Sequence, residues 1–187
     1  KIDEAVARYD EAVRLRPALA SGHKGLADAF VRKGNITEAI KQYEQAISLD
    51  PNLWGAHKNL ADILNEQGKI NQAVKHYRDA LRIKPDSSSI LNNLGWILAT
   101  SKQEGIRNAA EAVQLAERAC ELTDYKGIPA LDTLAAAYAS SGKFTEAVAT
   151  AQKALKLAFL SGQKEAVESL RTHLELYKKG RALYIEP

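Results

Sequence analysis

Three prolines, Pro17, Pro51 and Pro85, stand 34 residues apart, and the residues between them return in register. Leu26 is answered by Leu60, Gly34 by Gly68, Ala39 by Ala73, Tyr43 by Tyr77 and Ala46 by Ala80. A fixed period of this length, carrying large, small and turn residues at set offsets, marks one helix–turn–helix unit used repeatedly, and no copy can bury its apolar face alone. Stacked copies share a continuous core, so the expected class is all-α, an α-solenoid of such repeats.

Each copy can be read from its residues. Leu26, Ala27 and Phe30 form the stripe of a first helix, Gly34 breaks it, and Asn35 followed three residues later by Glu38 is a capping-box variant that starts the second helix. Ala39 and Ala46 then fall where paired helices approach most closely, with Tyr43 supplying bulk. Leu60, Leu64, Gly68, Ala73, Tyr77 and Ala80 repeat the plan until Pro85 stops the helix. A third copy opens with Leu91, Leu94 and Leu98, but its second helix arrives five residues late, so 101–107 reads as an elongated turn serving as a spacer, with Asn108 and Glu111 as the delayed cap. The fourth runs through Leu134, Tyr138, Gly142, Ala147 and Ala154. The stripe Ala166, Leu170, Leu174 and Tyr177 belongs to a polar-backed capping helix ending at Gly180. The expected boundaries in one domain are 1–19 (the second helix of a truncated repeat), 20–53, 54–87, 88–127 with the insertion, 128–161, the capping helix 162–180 and a tail 181–187.

This pattern resembles the tetratricopeptide repeat family over nearly the whole chain. The resemblance implies a right-handed superhelix whose first helices line a concave groove that holds peptides. By offset, that groove is expected to present Lys24, Gly25 and Asp28, then Lys58, Asn59 and Asp62, then Asn92, Asn93 and Trp96, and finally Asp132, Thr133 and Ala136. Family members that hold the acidic C-terminal tails of heat-shock chaperones use a clamp of lysines and asparagines. Only Lys24 and Asn59 match it, Asp28 replaces an asparagine, and Ser89 and Asn93 stand at its basic positions, which argues against that ligand. Asn59 and Asn93 share an offset and resemble two rungs of the asparagine ladder in the repeat domain of O-linked N-acetylglucosamine transferase. An amide that donates and accepts can pair with any peptide backbone, and Trp96 could take an apolar side chain. The alternative is that both asparagines are exposed helix residues.

The formal net charge of +3, with acids and bases interleaved along helices, excludes a nucleic-acid stripe. No run of about 18 apolar residues could span a bilayer. His23 and His57 lie one period apart, but no third ligand recurs with them, so they read as packing histidines and no metal is expected. His76 and His173 fall on exposed-looking helix positions, and Trp54 reads as a packing residue. Cys120, the single cysteine, excludes an internal disulfide. No catalytic triad, phosphate loop or paired-carboxylate motif is present, and no cofactor is expected. Lys1 to Pro17 carries Ile2, Ala5, Val6, Tyr9 and Val13 as a stripe without its partner helix, which suggests a piece of a longer protein and a surface for self-association. The expected function is a non-catalytic scaffold for a protein or peptide partner. The alternatives are the accessory arm of a larger bacterial protein with a membrane glycosyltransferase-like region, which the segments 132–138 and 174–180 resemble, or a self-assembly module.

Overall fold

The computed structural model describes residues 1–185. Among them the helices are α1 (Ile2–Leu15), α2 (Ala20–Lys33), α3 (Ile36–Leu49), α4 (Trp54–Glu66), α5 (Ile70–Ile83), α6 (Ser88–Thr100), α7 (Ala109–Leu122), α8 (Ile128–Ser140), α9 (Phe144–Leu160) and α10 (Lys164–Lys178). Contacts divide the chain into two compact units, Lys1–Pro85 and Asp86–Pro187.

In the first unit α2 pairs with α3 and α4 with α5, while α1 lies on α2 and α3 on α4. The turns follow from single residues. Gly34 adopts φ +81°, a left-handed conformation that side-chain-bearing residues enter at a cost, and its N–H closes the end of α2 on the carbonyls of Phe30 and Val31. Asn35 then accepts from the Glu38 amide at the start of α3. Ala39, Ala46, Ala73 and Ala80 are fully buried, as residues at the closest approach of paired helices must be. Tyr43 and Tyr77 fill the space beside them at 1% exposure each. Helix α1 buries no residue. Its Tyr9 ring lies across Gly25 of α2, so closely that a Cβ at Gly25 would collide with it, yet Tyr9 itself stays 42% exposed. Trp54, expected to pack, is also partly exposed, with the Lys84 ammonium 4.1 Å from its ring centroid.

In the second unit α6 pairs with α7 and α8 with α9; α6 and α7 both pack on α8, and α10 closes on α9. Ala112, Ala116, Ala119 and Cys120 of α7 are fully buried. Burial pushes the Cys120 thiol up to about 11. The turn between α7 and α8 takes Asp124 and Tyr125 to φ +50° and +55°, unusual for residues that are not glycine.

The elongated turn 101–107 is not the spacer that its sequence suggests. Ile106 is 8% exposed, the Asn108 amide donates to the Leu98 carbonyl, and Asn108 caps α7 by accepting from Glu111 at 3.1 Å. Residues 184 and 185 return to this segment: the Ile185 amide donates to the Thr100 carbonyl at 2.8 Å, and the Arg107 guanidinium stands 4.8 Å from the Tyr184 ring centroid.

Candidate functional site

On the first unit, the residues expected to face a groove form two hydrogen-bonded sets. Lys24 and Asp28, one turn apart on α2, pair at 2.7 Å. The other carboxylate oxygen of Asp28 accepts from the Tyr43 hydroxyl at 2.5 Å and from Asn59 Nδ2, on α4, at 2.9 Å. Asn59 Nδ2 also lies 3.2 Å from the Tyr43 hydroxyl oxygen. One period on, Lys58 pairs with Asp62 at 2.7 Å and the Tyr77 hydroxyl donates to Asp62 at 2.6 Å. Each buried tyrosine rises from α3 or α5 and fastens a carboxylate on the preceding helix. Burial, then the hydrogen bond to Asp28, raises the Tyr43 phenol well above its ordinary range.

Lys24, Asp28, Lys58, Asn59 and Asp62 remain half-exposed, so the face is polar, near neutral and held in place from beneath. Gly25, expected to face the groove as well, is buried under Tyr9. Periodicity alone does not place the tyrosines in this set, although the sequence carries a signal: Asp28 and Tyr43, like Asp62 and Tyr77, are 15 residues apart at matching offsets. The geometry changes what Asn59 can offer. Its amide nitrogen is directed at Asp28 and Tyr43, so of its hydrogen-bonding atoms only the carbonyl oxygen stays outside this set.

On the second unit Asn92, Asn93 and Trp96 are half-exposed on α6. Asn92 donates to Asn93 Oδ1 at 3.4 Å and accepts from Thr133 on α8 at 2.8 Å. Thr133 and Ala136, expected to face the groove, are each 1% exposed, because α6 packs directly on α8. Asp132 does reach the surface, where His173 Nδ1 of α10 stands 2.9 Å from its carboxylate. The His173 ring centroid is 5.8 Å from that of Trp96 and 6.5 Å from that of Tyr177. Helix α10 therefore sets His173 against Trp96, and His173 is half-buried rather than exposed. Tyr177 is 1% exposed, its hydroxyl has no hydrogen-bond partner among the described residues, and burial raises its phenol strongly.

The packing histidines do fill the interior. His23 and His57 are 7% and 5% exposed, and each sets Nε2 against the carbonyl of the proline that closes the preceding repeat, Pro17 at 2.9 Å and Pro51 at 3.2 Å.

Comparison with known proteins agrees with this architecture. The family model described as Tetratricopeptide repeat matches residues 1–53, 24–88 and 58–126, and a second model of the same description matches 128–159. Among solved structures, MamA is 18% identical with TM-score 0.72, covering 87% of this chain and 91% of its own. YrrB, described as a TPR protein with an unusual peptide-binding site, is 21% identical with TM-score 0.70, covering 83% of this chain and 77% of its own. A thermophilic TPR protein of Thermus thermophilus is 21% identical with TM-score 0.58, covering 96% of this chain and 90% of its own. No match was found among curated proteins. The repeated offsets, the all-helical pairs and the family models agree: the chain belongs to the tetratricopeptide repeat family and folds as an all-α repeat solenoid.

Proposed function

We propose that the chain is a non-catalytic scaffold whose first helices bind an extended peptide or partner segment. The observation that carries this reading is the row of half-exposed polar side chains on α2 and α4, fastened from below by Tyr43 and Tyr77. A surface whose side chains are already held loses little rotamer entropy when a ligand arrives. Asn59 would accept from a backbone N–H, while Lys24 and Lys58 would orient the segment more than attract it, since Asp28 and Asp62 neutralise them. On the second unit, Asn92, Asn93 and the Trp96 ring form a polar patch with one apolar anchor. Peptide binding is what the description of YrrB names for that protein, and it agrees with the class of ligand proposed here.

The test begins with peptides selected from a random extended library on the intact chain and then titrated against Lys24→Glu, Lys58→Glu and Trp96→Ala variants at low and high salt. A peptide engaging the α6 patch should lose about tenfold in affinity with Trp96→Ala, the worth of one buried apolar contact. One engaging α2 and α4 should respond to the lysine variants. Raising salt should weaken either little, because Asn92, Asn93 and Trp96 are uncharged and Lys24 and Lys58 are paired with Asp28 and Asp62. Peptides that bind all three variants as tightly as the parent would move the ligand off these faces.

A further inference from the structure

We infer that His57, His76 and Asp79 form a site for a borderline divalent metal ion, Zn2+ first, that staples α4 to α5. The three residues place one ligand atom each within 4.8 Å of the others. His57 Nδ1 and His76 Nδ1 are 3.0 Å apart, and the nearer Asp79 carboxylate oxygen is 4.0 Å from His57 Nδ1. Two nitrogens at Zn–N lengths of 2.0–2.1 Å on a tetrahedral ion stand about 3.3 Å apart, so the histidine pair needs an adjustment of only a few tenths of an ångström. The carboxylate must close by roughly 0.7 Å to the same spacing, a small swing for a side chain one-third exposed.

The chemistry of the donor set agrees. Imidazole with one carboxylate suits Zn2+, and the same set takes Ni2+ and Cu2+ in the order of their general affinities. Histidines that ligate metals usually direct the second ring nitrogen to a carbonyl or carboxylate, which fixes the tautomer and aims the free lone pair. His57 has that arrangement: Nε2–H donates to the Pro51 carbonyl, leaving the Nδ1 lone pair directed at His76. The 3.0 Å contact is the His76 Nδ1–H donating to that lone pair, and the other neutral tautomer of the same ring, with its proton on Nε2, offers Nδ1 to an ion.

The neighbouring repeat supplies the comparison. There His23 is anchored on the Pro17 carbonyl in the same way, but Nδ1 faces Gln42 Oε1 at 2.7 Å. One period separates Gln42 from His76 and Gln45 from Asp79. Packing alone explains an anchored histidine in both repeats. It does not explain why both amide positions of one repeat carry metal-ligating residues in the next, brought together around the lone pair of His57. The sequence signal is the i,i+3 pair His76 and Asp79 on α5; its spacing alone makes His76 an exposed-looking helix position, whereas the ring is half-buried.

The experiment is a titration of the metal-free intact chain with Zn2+ by calorimetry, and with Co2+ by visible absorption, compared with His76→Gln, Asp79→Gln, the double variant and His173→Gln. The double variant restores the amide pair that the neighbouring repeat already folds with, and Asp79→Asn is a milder second probe should it lose its helical circular dichroism. The expected result is saturable one-to-one binding that weakens at least the ~10–100-fold seen when a supporting partner is lost from a metal site. Loss should be fuller in the double variant and absent in His173→Gln, and the Co2+ spectrum should lack thiolate charge transfer. No saturable binding by the parent would overturn the site, as would equal affinity in the double variant. Loss in His173→Gln alone, or a thiolate band from Cys120, would also overturn it.

Discussion

At the scale of single residues, the two aspartates of the first unit do more than their exposure suggests. Asp28 accepts from Lys24, Tyr43 and Asn59 together, so Asp28→Ala should leave a buried phenol without its acceptor and cost about 1–3 kcal/mol in chemical unfolding. Tyr43→Phe, which removes both the hydroxyl and its need, should cost less. The tyrosines also set an alkaline limit. Tyr43 and Tyr177 are each 1% exposed, and their phenols are raised by burial in the folded chain. Folding therefore retains protons that the unfolded chain releases above about pH 10. The stability from this source is fully present below that pH and falls as pH rises through it, by about 1.4 kcal/mol per pH unit for each tyrosine. Denaturant midpoints measured between pH 9 and 12, compared with a Tyr43→Phe, Tyr177→Phe variant whose curve should be flatter, would check the sign. Such couplings were only partly legible in the sequence. Periodicity reports which residues share an offset, but not that the Asp28 carboxylate would turn inward to a phenol from the next helix.

At the scale of elements, the helices were legible because their signals are local: Gly34, Gly68 and Gly142 all take left-handed φ between the paired helices, and Asn35 and Asn108 cap where expected. The elongated turn was not legible, because two of its contacts come from some eighty residues away, the Tyr184 ring on Arg107 and the Ile185 amide on the Thr100 carbonyl beside it. The consequence is measurable. Ile106→Ala should destabilise by about 2–5 kcal/mol, as a buried aliphatic residue does, whereas Arg107→Ala should lose only the ring contact, about 0.5–1 kcal/mol. Thermal unfolding of both variants, beside Ala46→Leu and Ala80→Leu, would rank the sites. The alanine variants force a larger side chain into fully buried positions and should cost about 1–3 kcal/mol. An Ile106 variant that melts with the parent would return the turn to the status of a spacer.

For the whole molecule, stability in a repeat array is a sum of neighbouring interfaces, so it need not be uniform along the chain. Helix α1 buries no residue, while α6 and α8 bury most of theirs. Amide hydrogen exchange should therefore be fastest in α1 and slowest in α6 and α8, and equal protection throughout would contradict the burial. The chain also carries its own reporter of such opening. Cys120 is the single thiol, fully buried on α7 and raised to about 11, so an alkylating reagent at neutral pH should find almost no reactive thiolate while the second unit is closed. Labelling can then proceed only through excursions that expose α7, and its rate, followed by mass spectrometry without any engineered probe, becomes a clock for how often that unit breathes.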